Sequence, residues 1–274
     1  MDRDALLAAG DRNLAAVLRL YARTVPGAVL QDDGRLLLVS TLPSWPGPYH
    51  NGAIRLDRAL PAAQVLARAE AFFDGRAPGY CVWVAAHADA DIEEAALGAG
   101  HARISPTGAP RMALRHRLDP RRPEPGVTLE EVVDEAGRRD YLAVTVAAYA
   151  ESFLPADAAE AQVATLDTVH GPAVRSVVAR REGAPVAAAM VVGSDGVAGI
   201  QLVGTVPEAR GRGLGELCTA WAADAGFGLG AEAVVLEASE AGEPLYRRMG
   251  FTEVSRYRWC FGPPIHPNLV FHQS

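Results

Sequence analysis

The chain has 274 residues, of which 49% are hydrophobic and 22% charged, and its formal net charge is −7. That length makes one large or two ordinary domains, with a core that needs neither disulfides nor metals, and the acidic balance argues against a nucleic-acid partner, because phosphate binding wants a basic face. Every basic side chain other than His is Arg and there is no Lys, which removes a lysine Schiff base, a pyridoxal-phosphate anchor and a Walker-type phosphate loop from the available chemistry.

The N-terminal half opens with a helical pattern over Asp11 to Arg23. Strands are expected near Ala28 to Gln31, Arg35 to Ser40 and Ala53 to Leu56, a helix from Pro61 to Asp74, a strand from Tyr80 to Ala86 and a helix from Asp91 to Ala99, followed by His101-Ala-Arg-Ile104. Between the second and third strands, Ser44-Trp-Pro-Gly-Pro-Tyr-His-Asn51 is an aromatic, proline-rich loop that reads either as a cleft wall or as a rigid surface loop. Leu118 to Gly126 carries three prolines and ends in glycine, a composition that continues neither a helix nor a central strand. The expected division is therefore a domain over 1–118, a linker over 119–126 and a domain over 127–274.

Beyond the linker, Thr128-Leu-Glu-Glu131 reads as a capping box opening a helix. Further helices carry Tyr141, Leu142, Val144 and Tyr149, then Ala159, Val163, Leu166 and Val169. The period then changes to that of strands, over Val174 to Arg180, Ala184 to Val192 and Val197 to Thr205, with turns at Arg181-Glu-Gly183 and Gly193-Ser-Asp-Gly196. A glycine-rich loop leads into a helix over Gly215 to Ala225, then a strand over Glu232 to Ala238, a short helix over Pro244 to Met249 and a strand over Phe251 to Phe261. The fold class is α/β of the α+β type: two related domains, each a central, mostly antiparallel sheet flanked by helices. The relation is an internal repeat. Gly100-His-Ala-Arg-Ile104 lies 150 residues before Gly250-Phe-Thr-Glu-Val254, and the same offset brings together the helices after Pro61 and Gly211 and the strands around Trp83 and Val234.

No run of about 18 apolar residues is present, so no membrane partner is expected. The charged start Met1-Asp-Arg-Asp4 has no apolar core behind it, and the expected location is the cytoplasm. Cys81, Cys218 and Cys260 are far apart, with no CxxC pair, and read as buried small side chains rather than disulfides or metal ligands.

The chemistry concentrates at Gly204-Thr-Val-Pro-Glu-Ala-Arg-Gly-Arg-Gly-Leu-Gly215. A strand ends, the chain turns and a helix begins. The first N–H groups of a helix have no partner inside it, and with the helix dipole they form an anion site. Arg210 and Arg212 add cations, and glycines allow close backbone approach, so the expected ligand is a pyrophosphate. A dinucleotide fingerprint starting at Gly211 requires glycine at position 216, where Glu216 stands.

This stretch resembles the GNAT superfamily of acyl-CoA-dependent N-acyltransferases, whose signature [RQ]-x-x-G-x-[GA] is met by Arg210, Gly213 and Gly215. Pro244-Leu-Tyr-Arg-Arg-Met-Gly-Phe251 resembles the family's downstream tyrosine followed by Gly-Phe. The resemblance covers about residues 127–262. It implies acetyl-CoA as co-substrate, with the amides of Gly211, Arg212, Gly213, Leu214, Gly215 and Glu216 holding the pyrophosphate and Val203, Gly204 and Thr205 pairing with the pantetheine arm. It also implies Tyr246 as the acid beside the leaving thiolate, a role a phenol can fill; the competing reading is a core aromatic. Ser239 stands where many members carry a cofactor-contacting Asn. The strand before the loop, Gly199 to Thr205, lacks the carboxylate that many members use as a base. Glu237, Glu151 and His170 are candidates, each against the reading of an ordinary surface or structural side chain. At the 150-residue offset the N-terminal half has Leu60-Pro-Ala-Ala-Gln-Val65, without the glycines or arginines. One cradle per chain, with a degenerate N-terminal repeat, is expected. The implied activity is direct acetyl transfer to the amine of a small, aminoglycoside-like or amino-acid-like molecule, by a monomer or homodimer; a CoA-binding sensor without turnover is the alternative.

Overall fold

The computed structural model describes residues 1–103, 105–150 and 154–262. Helix α1 spans Arg3–Thr24; strands β1 (Val29–Asp32), β2 (Leu36–Ser40) and β3 (Asn51–Arg55) follow, then α2 (Ala62–Phe73), β4 (Cys81–Ala85), α3 (Ala90–Gly98), β5 (Ala102–Arg103) and β6 (Ala109–Leu114). The second half contributes β7 (Val127–Glu131), α4 (Glu135–Tyr149), α5 (Ala156–Gln162), α6 (Leu166–Val169), β8 (Val174–Arg181), β9 (Ala184–Ser194), β10 (Val197–Thr205), α7 (Leu214–Gly228), β11 (Ala233–Glu237), α8 (Glu243–Arg248) and β12 (Thr252–Phe261). The mixed α/β class holds.

The chain makes two compact units, neither of them continuous in sequence. The first consists of Met1–Val17 and Arg111–Val254, the second of Leu18–Pro110 and, among the described residues, 255–262. This division differs from the expected one at 119–126, and the proline-rich segment lies inside the first unit. The reason is β6. An apolar run beginning at Ala109 pairs antiparallel with β11, Met112 against Leu236 and Arg111 against Glu237, so Arg111–Leu114 belongs with the second half of the sequence.

In the first unit β8, β9 and β10 form an antiparallel meander, β7 adds to the β8 edge and β11 runs parallel to β10. The expected helix at Thr128–Glu131 is β7 instead. Its residues alternate between buried and exposed and pair with β8, and the helix starts later, where the Asp134 carboxylate accepts from the Gly137 N–H at 2.8 Å. A competent N-cap three residues on thus overrides the local capping-box pattern. The expected third helix is two short ones, α5 and α6, and α1 begins eight residues before Asp11. Val235 packs in one cluster with Leu6 and Ala9 of α1, and Asn13 donates to the Val192 carbonyl at 2.9 Å. On the other face α7 lies against Ala198, which touches Gly226.

The second unit repeats the plan. β1, β2 and β3 form an antiparallel meander, α2 follows, and β4 returns parallel to β3, Gly52 against Cys81. Its remaining strand is the end of β12, which pairs with β4 and β5. The core is Leu36, Leu38, Val65, Phe72, Phe73, Val82, Val84 and Ile92 with Cys260. Arg55 is buried there and satisfied by Asp89 and Asp91. The 44–51 loop is tied down rather than open: Asn51 donates to the Leu42 and Trp45 carbonyls and Trp83 to the Pro48 carbonyl. Where the first unit has its glycine loop, Pro61 is the extended N-cap of α2, and no residue from Leu60 to Val65 has positive φ. Ile104 lies outside the described residues.

Candidate active site

The end of β10 is irregular in a specific way. Gln201 pairs with Met190 and Gly204 with Ala188, so one extra residue is inserted in β10. Leu202 takes φ 49° to accommodate it, a left-handed conformation that costs an L residue about 1–2 kcal/mol. The bulge is held from above by α4. The Tyr149 hydroxyl donates to the Val203 carbonyl at 2.9 Å and the Tyr141 hydroxyl to the Leu202 carbonyl at 3.4 Å. A Cβ on Gly204 would stand 2.8 Å from that of Ala148, so only glycine lets α4 approach this closely.

β10 and β11 pair in parallel over Val197–Gly199 with Ala233–Val235. Both strands run on, to Thr205 and Glu237, but pairing between them ends at Val235. The ladder between the two strands stops there, which opens a gap in the sheet beyond it. Val203, Gly204 and Thr205 end β10 beyond this point, with the Val203 carbonyl accepting from Tyr149.

The glycine loop leaves β10 through a short 3-10 turn at Pro207–Ala209 and enters α7 at Gly213, which has φ 72° and ψ 6°. Its N-cap, Gly213, has no side chain with which to cap it. The N–H groups of Leu214, Gly215 and Glu216 open its first turn, and nothing lies within 4 Å of where a Cβ on Gly211 or Gly213 would point. Uncapped amides beside open space are what a diphosphate requires. Arg212 is exposed. Arg210 is otherwise engaged: its guanidinium donates to the Thr205 carbonyl at 3.3 Å and to the Ala148 carbonyl at 3.0 Å. It ties the loop to the end of α4, a structural use that its place in the signature does not reveal. Glu216 brings a carboxylate into the first turn, and Arg121 bridges it.

Tyr246 sits on α8 and is 8% exposed. Its ring meets Phe251 edge-on at 5.9 Å, and burial pushes its pKa up to about 12. Among the described residues no hydrogen bond engages its hydroxyl, which leaves it available. Ser239 accepts from the Gly242 N–H at 3.1 Å through its side chain and so shapes the turn into α8. Cys218 is buried in α7, with its thiol pushed up to about 12 by that burial; it is not a poised nucleophile. His170 ends α6 with its Nδ1 buried and, among the described residues, without a hydrogen-bond partner. Glu151 lies outside the described residues.

Glu237 is tied to residues that the sequence did not suggest. Arg111, 1% exposed, donates through Nε and Nη2 to Glu237 Oε1 at 2.8 and 2.6 Å, and through Nη1 to Asp11 at 3.0 Å. The signal for Arg111 was a lone charge in the apolar run Ala109-Pro-Arg-Met-Ala-Leu114.

This geometry has counterparts. Residues 141–251 match the model of the acetyltransferase (GNAT) family. Over that stretch the sequence is similar to a GNAT domain. A GCN5-related N-acetyltransferase from Kribbella flavida superposes with a TM-score of 0.70 at 22% identity, over 94% of this chain and 96% of its own. One from Sphaerobacter thermophilus gives 0.61 at 16% identity, over 96% of each chain. A tandem GNAT protein from the clavulanic acid biosynthesis pathway gives 0.57 at 18%, over 94% of this chain and 98% of its own. The two-unit fold is thus that of tandem GNAT proteins, and the GNAT fold accounts for nearly the whole chain. No curated protein matches it. No helix among the described residues is long and apolar enough to cross a membrane, and no group of three or more His, Cys, Asp or Glu among them could hold a metal ion.

Proposed function

We propose that the first unit transfers an acetyl group from acetyl-CoA directly to the amine of a small molecule. The observation that carries this reading is the uncapped, left-handed entry to α7 placed at the end of β10, where β10 and β11 part. The amides from Gly211 to Glu216 hold the diphosphate, with Arg212 as the exposed cation. Val203 to Thr205 offer main chain to the pantetheine arm, and the Tyr149 hydroxyl gives up the Val203 carbonyl when the arm pairs there. Acetyl-CoA supplies an activated thioester; the chain supplies position and proton handling.

With its pKa near 12, Tyr246 stays protonated at every working pH. Full proton transfer to a thiolate of ordinary thiol pKa, about 8.5, runs uphill. Tyr246 therefore acts mainly by donating a hydrogen bond to the departing sulfur, stabilising charge as it develops.

Calorimetric titration with acetyl-CoA, then thiol release over spermidine, tyramine, lysine amide and kanamycin, tests the reading. Binding and turnover on one of these amines support it. Binding without turnover on any favours a CoA sensor, and no binding refutes both.

A further inference from the structure

We propose that Glu237 is the general base of this transfer and that Arg111, carried on β6 from the first half of the sequence, is the positioning residue that presents its carboxylate. The inference rests on the transferase reading above. β10 offers Gln201 at the gap and no carboxylate. Across the gap stands Glu237, two residues beyond the last β10–β11 pair, Gly199 with Val235. Strand alternation puts Gln201, Val235 and Glu237 on the same face, the one covered by α1. A base is needed on one side of the parting strands, and this is the carboxylate that the strands themselves bring there.

The ion pair is not arranged as a structural pair usually is. A guanidinium and a carboxylate commonly join fork to fork, two donors on two oxygens. Here Arg111 Nε and Nη2 both converge on Oε1, and among the described residues no hydrogen bond engages Oε2. One oxygen is clamped and the other is left as an acceptor. Arg111 is also shared. Its Nη1 donates to Asp11, so one buried cation serves two carboxylates. The Glu237 side chain is 7% exposed, which shields it from solvent competition while its orientation is fixed.

The step balances as follows. The neutral amine nitrogen forms the C–N bond to the thioester carbonyl carbon, and the C–S bond breaks. The nitrogen proton passes to Glu237 Oε2. The sulfur leaves as thiolate under the Tyr246 hydrogen bond and is protonated from solvent, to which Glu237 returns its proton.

The test uses the full chain with acetyl-CoA and the best amine of the panel above. E237Q is isosteric. It is expected to lower kcat by about 10²-fold or more, the scale of general-base catalysis, with KM for acetyl-CoA within about threefold of wild type. In E237A, added formate is expected to restore kcat at least tenfold, which a purely structural pair would not show. R111M is expected to lose kcat with acetyl-CoA binding retained, and R111K to recover part of it. If E237A does not fold, E237Q and R111K carry the decision. E237Q with wild-type kcat, or a folded E237A indifferent to formate, overturns the assignment while leaving the transferase reading intact. Wild-type protein that binds acetyl-CoA but turns over no amine overturns both.

Discussion

Replacing Gly213 separates strain from charge at the cradle. The residue sits at φ 72° with open space around any added Cβ, so a side chain there meets no clash, only the conformational cost of the left-handed region. For Ala that cost is about 1–2 kcal/mol. Asn and Asp visit this region more readily and are nearly the same size, so the pair isolates the carboxylate. A charge about 5 Å from a diphosphate carrying about two charges, at an effective dielectric near 60, is opposed by about 2 kcal/mol. That corresponds to roughly 30-fold weaker binding for Gly213→Asp than for Gly213→Asn. Calorimetric titration with CoA at low salt measures the ratio, and raising the salt should shrink it because the loop is exposed. Equal CoA affinity of the two variants at low salt would refute the placement of the diphosphate on this loop.

Arg210→Met is expected to lower the melting temperature by several degrees while changing CoA affinity less than Arg212→Met does, because Arg210 holds the Thr205 and Ala148 carbonyls; thermal melts and titrations compare them. Tyr246→Phe should reduce kcat by about 10- to 10²-fold with CoA affinity nearly unchanged, and a wild-type kcat would exclude the tyrosine from the reaction. His50, with burial lowering its pKa to about 4, is neutral in the folded chain and protonates near 6.5 when unfolded. Its neutral form therefore contributes stability that is present above pH 6.5 and lost as pH falls to about 4, at most about 3 kcal/mol; urea unfolding of His50→Gln should lack that slope. A chain of residues 115–274, without β6 and α1, should neither fold cooperatively nor bind CoA, as circular dichroism and titration would report.

The cradle was legible because its requirements are local. Positive φ, uncapped amides and a strand-to-helix turn all fall within Thr205 to Gly215, and the structure places them there. The same holds for the meander of β8 to β10, whose turns carry glycine at Gly183 and Gly196, both with positive φ. What the sequence hid is non-local. Thr128-Leu-Glu-Glu131 has the letters of a capping box, but strand pairing with β8 decides its state. Arg210 reads as a phosphate ligand until Ala148, 62 residues away, appears as its acceptor. The segment Ala109 to Leu114 reads as the tail of one domain, because nothing within it says that its partner is β11. Without that pairing neither Arg111 nor the anchoring of Glu237 can be inferred, and Glu237 looks like any strand-end carboxylate.

The discontinuity of the two units also bears on synthesis. The second unit holds β1 to β4 from early in the sequence, yet the stretch of β12 that pairs with β4 is Tyr257 to Phe261. On the ribosome, at about 5–20 residues per second, β4 must wait on the order of ten seconds with one edge unpaired. An exposed edge of Cys-Val-Trp-Val-Ala is a template for association with other chains. The early half of the polypeptide is therefore the one most in need of a chaperone, and slowing translation late in the message should lower soluble yield more than slowing it at the start.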